Sequence, residues 1–279
     1  MHRTKNAVAL AAILLTATAG LRADEIGEKG REVFTKNEHA VVTVQVVLKA
    51  SYSGGGRSSN PSETKNDITG TVIDPSGLVV VALSACDPAD LYRRLSDEYK
   101  IETEVNDIKI LLDDGTEMPA EIVLRDKDLD LGFLRPKTKP TSPMAAVDLT
   151  KSAPGQMLDQ VIALNRLNRA AGRAYSAAVE RISAVIQKPR TFYIPDSAMS
   201  TTGLGSPAFL PNGSVLGLFV MRAVNSNGSR NPRDSMTTII IPAADILKGA
   251  QQAPEAKGDS DKPVNAKLDA DTKPSGGQK

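Results

Sequence analysis

Ala208-Phe209-Leu210-Pro211-Asn212-Gly213-Ser214-Val215-Leu216-Gly217-Leu218-Phe219-Val220-Met221 holds two apolar runs divided by a Pro-Asn-Gly turn. Asn-Gly accepts the left-handed backbone that a tight reversal needs, so the stretch reads as two antiparallel strands and their hairpin. The rest of the chain repeats this grammar. Upstream, Leu158 to Leu164, Ala174 to Ile186 and Thr191 to Ile194 are further strands, and Met236 to Ile241 follows the hairpin. Earlier still, Ala40 to Leu48, Ile68 to Ile73, Leu78 to Leu83, Ile108 to Leu112, Glu117 to Leu124 and Leu129 to Arg135 are six short strands within about a hundred residues. Turns at Asp74-Pro75-Ser76-Gly77 and Asp113-Asp114-Gly115 join them. Two successive strand-rich halves, with no regular alternation of strand and helix, predict an all-β fold of two antiparallel six-stranded barrels.

The expected organisation is residues 1–23 as a signal peptide, 24–39 as a lead-in, 40–140 and 141–250 as the two barrels, and 251–279 as a tail. From Gln251 onward there is no aromatic residue and acids balance lysines, a composition that cannot bury enough apolar surface to offset ordering, so the tail is expected to be disordered. Ser51 to Asn66, with Gly54-Gly55-Gly56 and Ser58-Ser59-Asn60-Pro61, is read as a long loop. One helix is expected from Asp87 to about Lys100, capped by Asp87, with Pro88 in its first turn and Leu91, Tyr92, Leu95 and Tyr99 at helical spacing.

His2, Arg3 and Lys5 precede an apolar run, Ala7 to Leu15, that is short for a membrane span, and small residues follow. This predicts export, to a bacterial periplasm or beyond the cell, with cleavage after Ala19 or, preferably, Ala23. No later segment is apolar enough to span a membrane. Removing residues 1–23 takes away Arg3, Lys5 and Arg22 and no acid, which leaves 31 basic against 33 acidic residues. A slightly acidic chain argues against nucleic acid as a partner. Cys86 is the one cysteine, so no internal disulfide can form, and it reads as a small buried residue. Beyond the leader His39 is the one histidine. It reads as an exposed residue before a strand, and with Cys86 it supplies too few ligands for a zinc site, so no metal or cofactor is expected.

Several stretches in order resemble the HtrA-type trypsin-like serine proteases of bacterial envelopes, over roughly Ala40 to Ile246 and without a following PDZ module. Gly77-Leu78-Val79-Val80-Val81-Ala82-Leu83-Ser84-Ala85 is similar to the family's Gly-Tyr-Ile-Leu-Thr-Asn-x-His-Val. Asp130-Leu131-Gly132-Phe133-Leu134 is similar to Asp-Leu-Ala-Val-Leu. Pro195 to Pro207 is similar to Thr-Asp-Ala-Ala-Ile-Asn-Pro-Gly-Asn-Ser-Gly-Gly-Pro, matching Asp196, Ala198, Gly205 and Pro207. Asn212 to Leu218 and Thr238-Ile239-Ile240-Ile241-Pro242 are similar to the strands that follow the nucleophile.

The resemblance implies a chymotrypsin-like fold and places Ser84, Asp130 and Leu204 where the base, the orienting carboxylate and the nucleophile belong. Leucine has no atom that attacks a carbonyl, and serine has no basic nitrogen to accept a proton at neutral pH. A non-catalytic homologue that binds protein or peptide in extended form is therefore expected, and no oligomeric state is carried over. Thr202, Gly203 and Leu204 correspond to the oxyanion loop, with a β-branched Thr202 where the family has glycine. Thr238, Ile239, Ile240 and Ile241 are the candidate peptide-binding residues, beside a shallow apolar pocket shared with Leu204. Asp130 has an ordinary reading as well, a polar residue that opens a strand and bonds nearby N–H groups and the Ser84 hydroxyl. The alternative function is an active serine endopeptidase whose rearranged site uses Ser206.

Overall fold

The computed structural model describes residues 25–54, 57–95, 100–196, 203–225 and 235–257. The expected signal peptide and most of the expected tail lie outside them. A first helix, α1 (Glu25–Asn37), opens with Glu25 and Glu28, where carboxylates favour the helix dipole, and buries Val33. A 3-10 turn (Glu38–Ala40) leads into the first barrel.

The first barrel contains β1 (Val41–Gly54), β3 (Ser62–Asp74), β4 (Leu78–Ala82), β5 (Lys100–Leu111), β6 (Glu117–Asp126) and β7 (Leu131–Pro136), with a short β2 (Arg57–Ser58) paired on the end of β1. The order β1-β3-β4-β7-β6-β5 closes through a pairing of β5 with β1. The second barrel is β10-β13-β12-β11-β8-β9, from β8 (Gln160–Arg166), β9 (Tyr175–Ile186), β10 (Phe192–Pro195), β11 (Pro207–Phe209), β12 (Val215–Ala223) and β13 (Met236–Pro242). Closure gives every strand of the two barrels a partner on each side, although β12 runs on past β11. Among the described residues no helix is long and apolar enough to cross a membrane.

The hairpin that opened the reading is present: Gly213 has φ +81°, and its N–H donates to the Leu210 carbonyl at 2.9 Å. One apolar cluster runs from the first barrel into the second, joining Val44, Val79, Leu131 and Phe133 to Leu164, Phe209, Leu218 and Ile241. A separate cluster, including Val161, Ile182, Tyr193, Phe219 and Ile240, fills the second barrel. The barrels are thus fused by a shared apolar core, the dominant stabilising term for a chain without disulfides.

Ser51 to Asn66, expected as a loop, is mostly strand. Residues Ala50 to Leu48 pair with Ser62 to Thr64, and Ser53 and Gly54 pair with Ser58 and Arg57, so β1 and β3 run on as a hairpin beyond the barrel. Its outer residues are exposed and polar, which hides a strand from any reading based on apolar runs. The expected inserted helix is α3 (Ala89–Leu95), and the Asp87 carboxylate accepts the Ala89 N–H at 3.4 Å. Ser96 to Tyr99 lie outside the described residues. Before it, Leu83–Cys86 form one helical turn, α2.

After β13 comes α4 (Ala243–Ala250), which the sequence reading left within the second barrel. It lies against β12 and β13 and reaches the first barrel at Gly249, where a Cβ would stand 2.7 Å from the Phe133 ring. Gln251 to Lys257 continue along that barrel: Arg135 Nε donates to the Pro254 carbonyl at 2.9 Å, and Nη1 donates to Ser76 Oγ at 3.0 Å.

Candidate functional site

Asp130 immediately precedes β7 with φ +58°, a left-handed backbone that Asp tolerates better than most residues. Its carbonyl accepts the Leu83 N–H at 2.8 Å, which docks α2 against the start of β7. The carboxylate then takes three donors. Oδ1 accepts the Ser84 N–H at 2.7 Å, and Oδ2 accepts the Ser84 hydroxyl at 2.8 Å and the Met221 N–H at 2.9 Å. Asp130 therefore joins α2 of the first barrel to β12 of the second. Burial pushes its carboxyl up to about 6, against the downward pull of the Met221 and Ser84 donors. Ser84 itself is 9% exposed.

Leu204 stands in the loop before β11. Gly205 holds that loop against the first barrel: its φ is +92°, its N–H donates to the Phe219 carbonyl at 2.8 Å, and its carbonyl accepts the Thr71 hydroxyl at 2.8 Å. Leu204 and Gly203 line an open cleft of about 510 Å³ between the barrels, together with Ala85, Thr69 and Asn165. Ser84 and Asp130 are in direct contact, and Ala85, the residue after Ser84, lines the same cleft as Leu204. Gly203 allows this closeness, since a Cβ there would meet the Asn165 amide oxygen at 2.9 Å. Thr202, expected in the oxyanion loop, lies outside the described residues.

Two expectations are corrected. Ser206, the replacement nucleophile, is fully buried, and its Oγ donates to Asn165 Oδ1 at 3.2 Å. The same oxygen accepts the Thr69 hydroxyl at 2.6 Å. The Ser206 side chain fastens the loop from beneath and offers no hydroxyl to the cleft.

The second correction concerns Thr238 to Ile241. Ile239, Ile240 and Ile241 are at most 2% exposed, so they offer a ligand little surface, and only Ile239 and Ile241 border a cavity, the small one beside Asp130. Ile240 fills the second barrel, and Ile239 and Ile241 join the core shared between barrels. Leu204 lines a different cavity from Ile239 and Ile241. Thr238 pairs with Met221 inside the β12–β13 ladder.

The open edge belongs to β12, and the sequence reading missed it. Phe219 turns its N–H and carbonyl to Ser206 and Gly205, and Met221 turns its N–H to Asp130, whereas Val224 donates to Ser235 beyond β13. Backbone groups of odd-numbered residues therefore face away from β13. By that alternation the Met221 carbonyl and the Ala223 N–H point to the same side as the Asp130 contact, and no partner takes them among the described residues. An apolar sequence run cannot reveal which half of a strand lacks a neighbour.

His39 is remote from Ser84 and Asp130. Its Nδ1 lies 3.1 Å from an Asp113 carboxylate oxygen and 3.2 Å from the Tyr175 hydroxyl, and Arg166 donates to Asp113 at 2.9 Å. This cluster ties the N-terminal segment to both barrels. Cys86 is fully buried, and burial pushes its thiol up to about 12, which suppresses the thiolate that metal binding or nucleophilic attack would need. Among the described residues no three His, Cys, Asp or Glu gather as a metal site.

No curated protein sequence matches the chain. Among solved structures it is similar to the apo protease domain of MamO from Magnetospirillum magneticum, with 18% identity over 77% of this chain and 97% of that one and a TM-score of 0.51. It is also similar to an inactive serine-to-alanine mutant of Rv3671c from M. tuberculosis, with 17% identity, coverage of 79% and 89%, and a TM-score of 0.50. At such identities the likeness is one of fold. The family model for the trypsin-like peptidase domain matches residues 68–218, more than half of the 279 residues. The chain belongs to the trypsin-like peptidase domain family.

Proposed function

We propose that this protein is an exported, non-catalytic member of its family that binds a protein or peptide in extended form. The observation that carries the reading is the occupation of Asp130. In a triad a carboxylate orients an imidazole, and here its oxygens are taken by the Ser84 hydroxyl and two backbone N–H groups. Ser84 donates its proton to Asp130 and has no basic nitrogen with which to take one from a nucleophile. Leu204 is aliphatic, and Ser206 is sealed in the core. The chemistry of attack and proton transfer is gone, while a cleft and a stretch of β12 unpaired among the described residues remain. An extended segment can add to such an edge through main-chain hydrogen bonds.

Two measurements test this. A fluorophosphonate probe should label no serine of the purified native protein, under conditions in which an active trypsin is labelled fully; stoichiometric labelling at any serine contradicts the proposal. Export predicts that protein recovered from the envelope of an expressing bacterium begins at Asp24, and intact mass that retains residues 1–23 would remove that part of the reading.

A further inference from the structure

Beside Asp130, the open end of β12 borders a small cavity of about 30 Å³ whose wall includes Arg94, Arg190, Met221 and Arg222. Through Lys127 and Arg190 this cavity continues into a wider groove of about 840 Å³ that reaches Arg125 and Lys248. Six basic side chains thus line one path, but most already have partners. Arg125 pairs with Asp87 at 3.1 Å, Lys127 with Asp90 at 3.0 Å, Lys248 with Asp245 at 2.9 Å and Arg94 with Asp128 at 3.5 Å.

The remaining acids on the path are committed as well. Asp126 accepts the N–H groups of Asp128 and Leu129, both at 3.0 Å, and Asp130 is saturated as described. Arg190 and Arg222 are left without a carboxylate among the described residues. Arg190 is exposed. The Arg222 guanidinium rests 4.9 Å from the centre of the Phe192 ring, which fixes it at the rim while keeping its charge. Arg222 also lies within the open stretch of β12, between the Met221 carbonyl and the Ala223 N–H. Two positive charges without counter-ions therefore stand at the edge that a bound strand would use.

We infer that the segment bound along β12 is acidic, with Asp or Glu side chains directed at Arg190 and Arg222. This rests on the proposal that the protein binds an extended peptide, and it adds the chemistry of that peptide. Charge at a rim of this kind governs selection and association rate more than total affinity. The preference should therefore be strong at low salt and weak at high salt.

The test uses three fluorescein-labelled eight-residue peptides that are identical except for Glu, Ala or Lys at alternate positions, titrated by fluorescence polarisation. At about 50 mM salt the Glu peptide should bind about tenfold more tightly than the Lys peptide, as two rim charge pairs imply. The advantage should shrink at about 500 mM salt. The doubly reversed variant Arg190→Glu, Arg222→Glu should invert the order, and circular dichroism should show its fold unchanged. Equal binding of the three peptides, or an order untouched by the reversal, overturns the acidic preference and leaves the peptide-binding reading standing. No binding of any of the three overturns both.

Discussion

Replacing Gly205 by alanine should destabilise the protein by about 4 kcal/mol, whereas the same replacement at Gly213 should cost about 1 kcal/mol. Both glycines have positive φ, +92° and +81°, so both substitutions incur the strain of a left-handed backbone, about 1–2 kcal/mol for a residue with a Cβ. Only Gly205 adds a collision. A Cβ there would stand 2.2 Å from the Thr69 carbonyl oxygen, while at Gly213 nothing lies within 4 Å. Thr69 cannot swing aside, because it sits in β3 opposite Thr43 of β1 and its hydroxyl is held by Asn165 at 2.6 Å. Overpacking against fixed main chain adds about 1–3 kcal/mol.

Gly205→Ala should lower the melting temperature by about 8–16 °C and Gly213→Ala by only about 2–4 °C, given about 2–4 °C per kcal/mol at this size. Equal melting temperatures for the two variants would mean that the loop carrying Leu204 relaxes freely. The junction would then not be rigid. A destabilised Gly205→Ala protein that still folds should also bind extended peptide more weakly, since the Gly205 N–H is bonded to the Phe219 carbonyl, two residues before the open stretch of β12.

The importance of Gly205 was visible only in part from the sequence. The resemblance matched this glycine, and Asp130 with it, because a close approach and a committed carboxylate each restrict the residue type locally. The barrels were legible for a related reason: inward faces demand apolar residues at short, regular intervals, so Leu78 to Leu83 and Val215 to Met221 announce themselves. Where pairing proceeds in water the signal disappears. Lys100 to Asp107 of β5 pair with Ser53 to Val47 of β1, yet their alternating acids read as no strand at all. The helices α1 and α4 were missed because each buries few residues, Val33 in α1 and Ala243, Ile246 and Gly249 in α4.

The candidate site shows the same division. That Ser84 and Asp130 meet follows from motif order, and the contacts at 2.7 and 2.8 Å agree with it. Which residues face a ligand does not follow, because accessibility depends on neighbours supplied by the other barrel. Ser206 and Ile239 to Ile241 looked available and are buried. Arg190 and Arg222 looked ordinary, and their lack of counter-ions among the described residues became visible only once each described carboxylate lining the path had been assigned to a partner.

The same accounting at Asp130 predicts an unusual pH dependence of stability. Its carboxyl titrates at about 6 in the folded protein, against an ordinary 3.8 in the unfolded chain. The folded state therefore holds this proton more tightly, and the resulting stability is fully present below about pH 3.8 and is lost as pH rises through about 6. A difference of about two units corresponds to about 3 kcal/mol at most. Other carboxylates act in the opposite sense. Asp74 is held low by the hydroxyl and N–H of Ser76, and Asp148 is held down to about 2 by the Thr150 hydroxyl and by Lys151. Their stabilisation is lost as pH falls below about 4, so the maximum should lie near pH 5.

Asp130→Asn isolates the buried carboxyl. Asparagine cannot ionise, the Ser84 hydroxyl can turn to accept from its amide, and the Met221 N–H loses an anionic acceptor only above about pH 6, where the wild-type carboxyl is ionised. The variant should start at or below wild type at pH 4. It should then gain on wild type by up to about 3 kcal/mol by pH 8. Urea unfolding of both proteins at each pH unit reads this difference directly. Curves that stay parallel from pH 4 to 8 would show that three donors offset the desolvation of the carboxylate completely. Asp130 would then carry its charge at neutral pH at no cost to the fold. Curves that converge or cross would show that this carboxylate is retained against its own stability, the mark of a group inherited from the chemistry of the family.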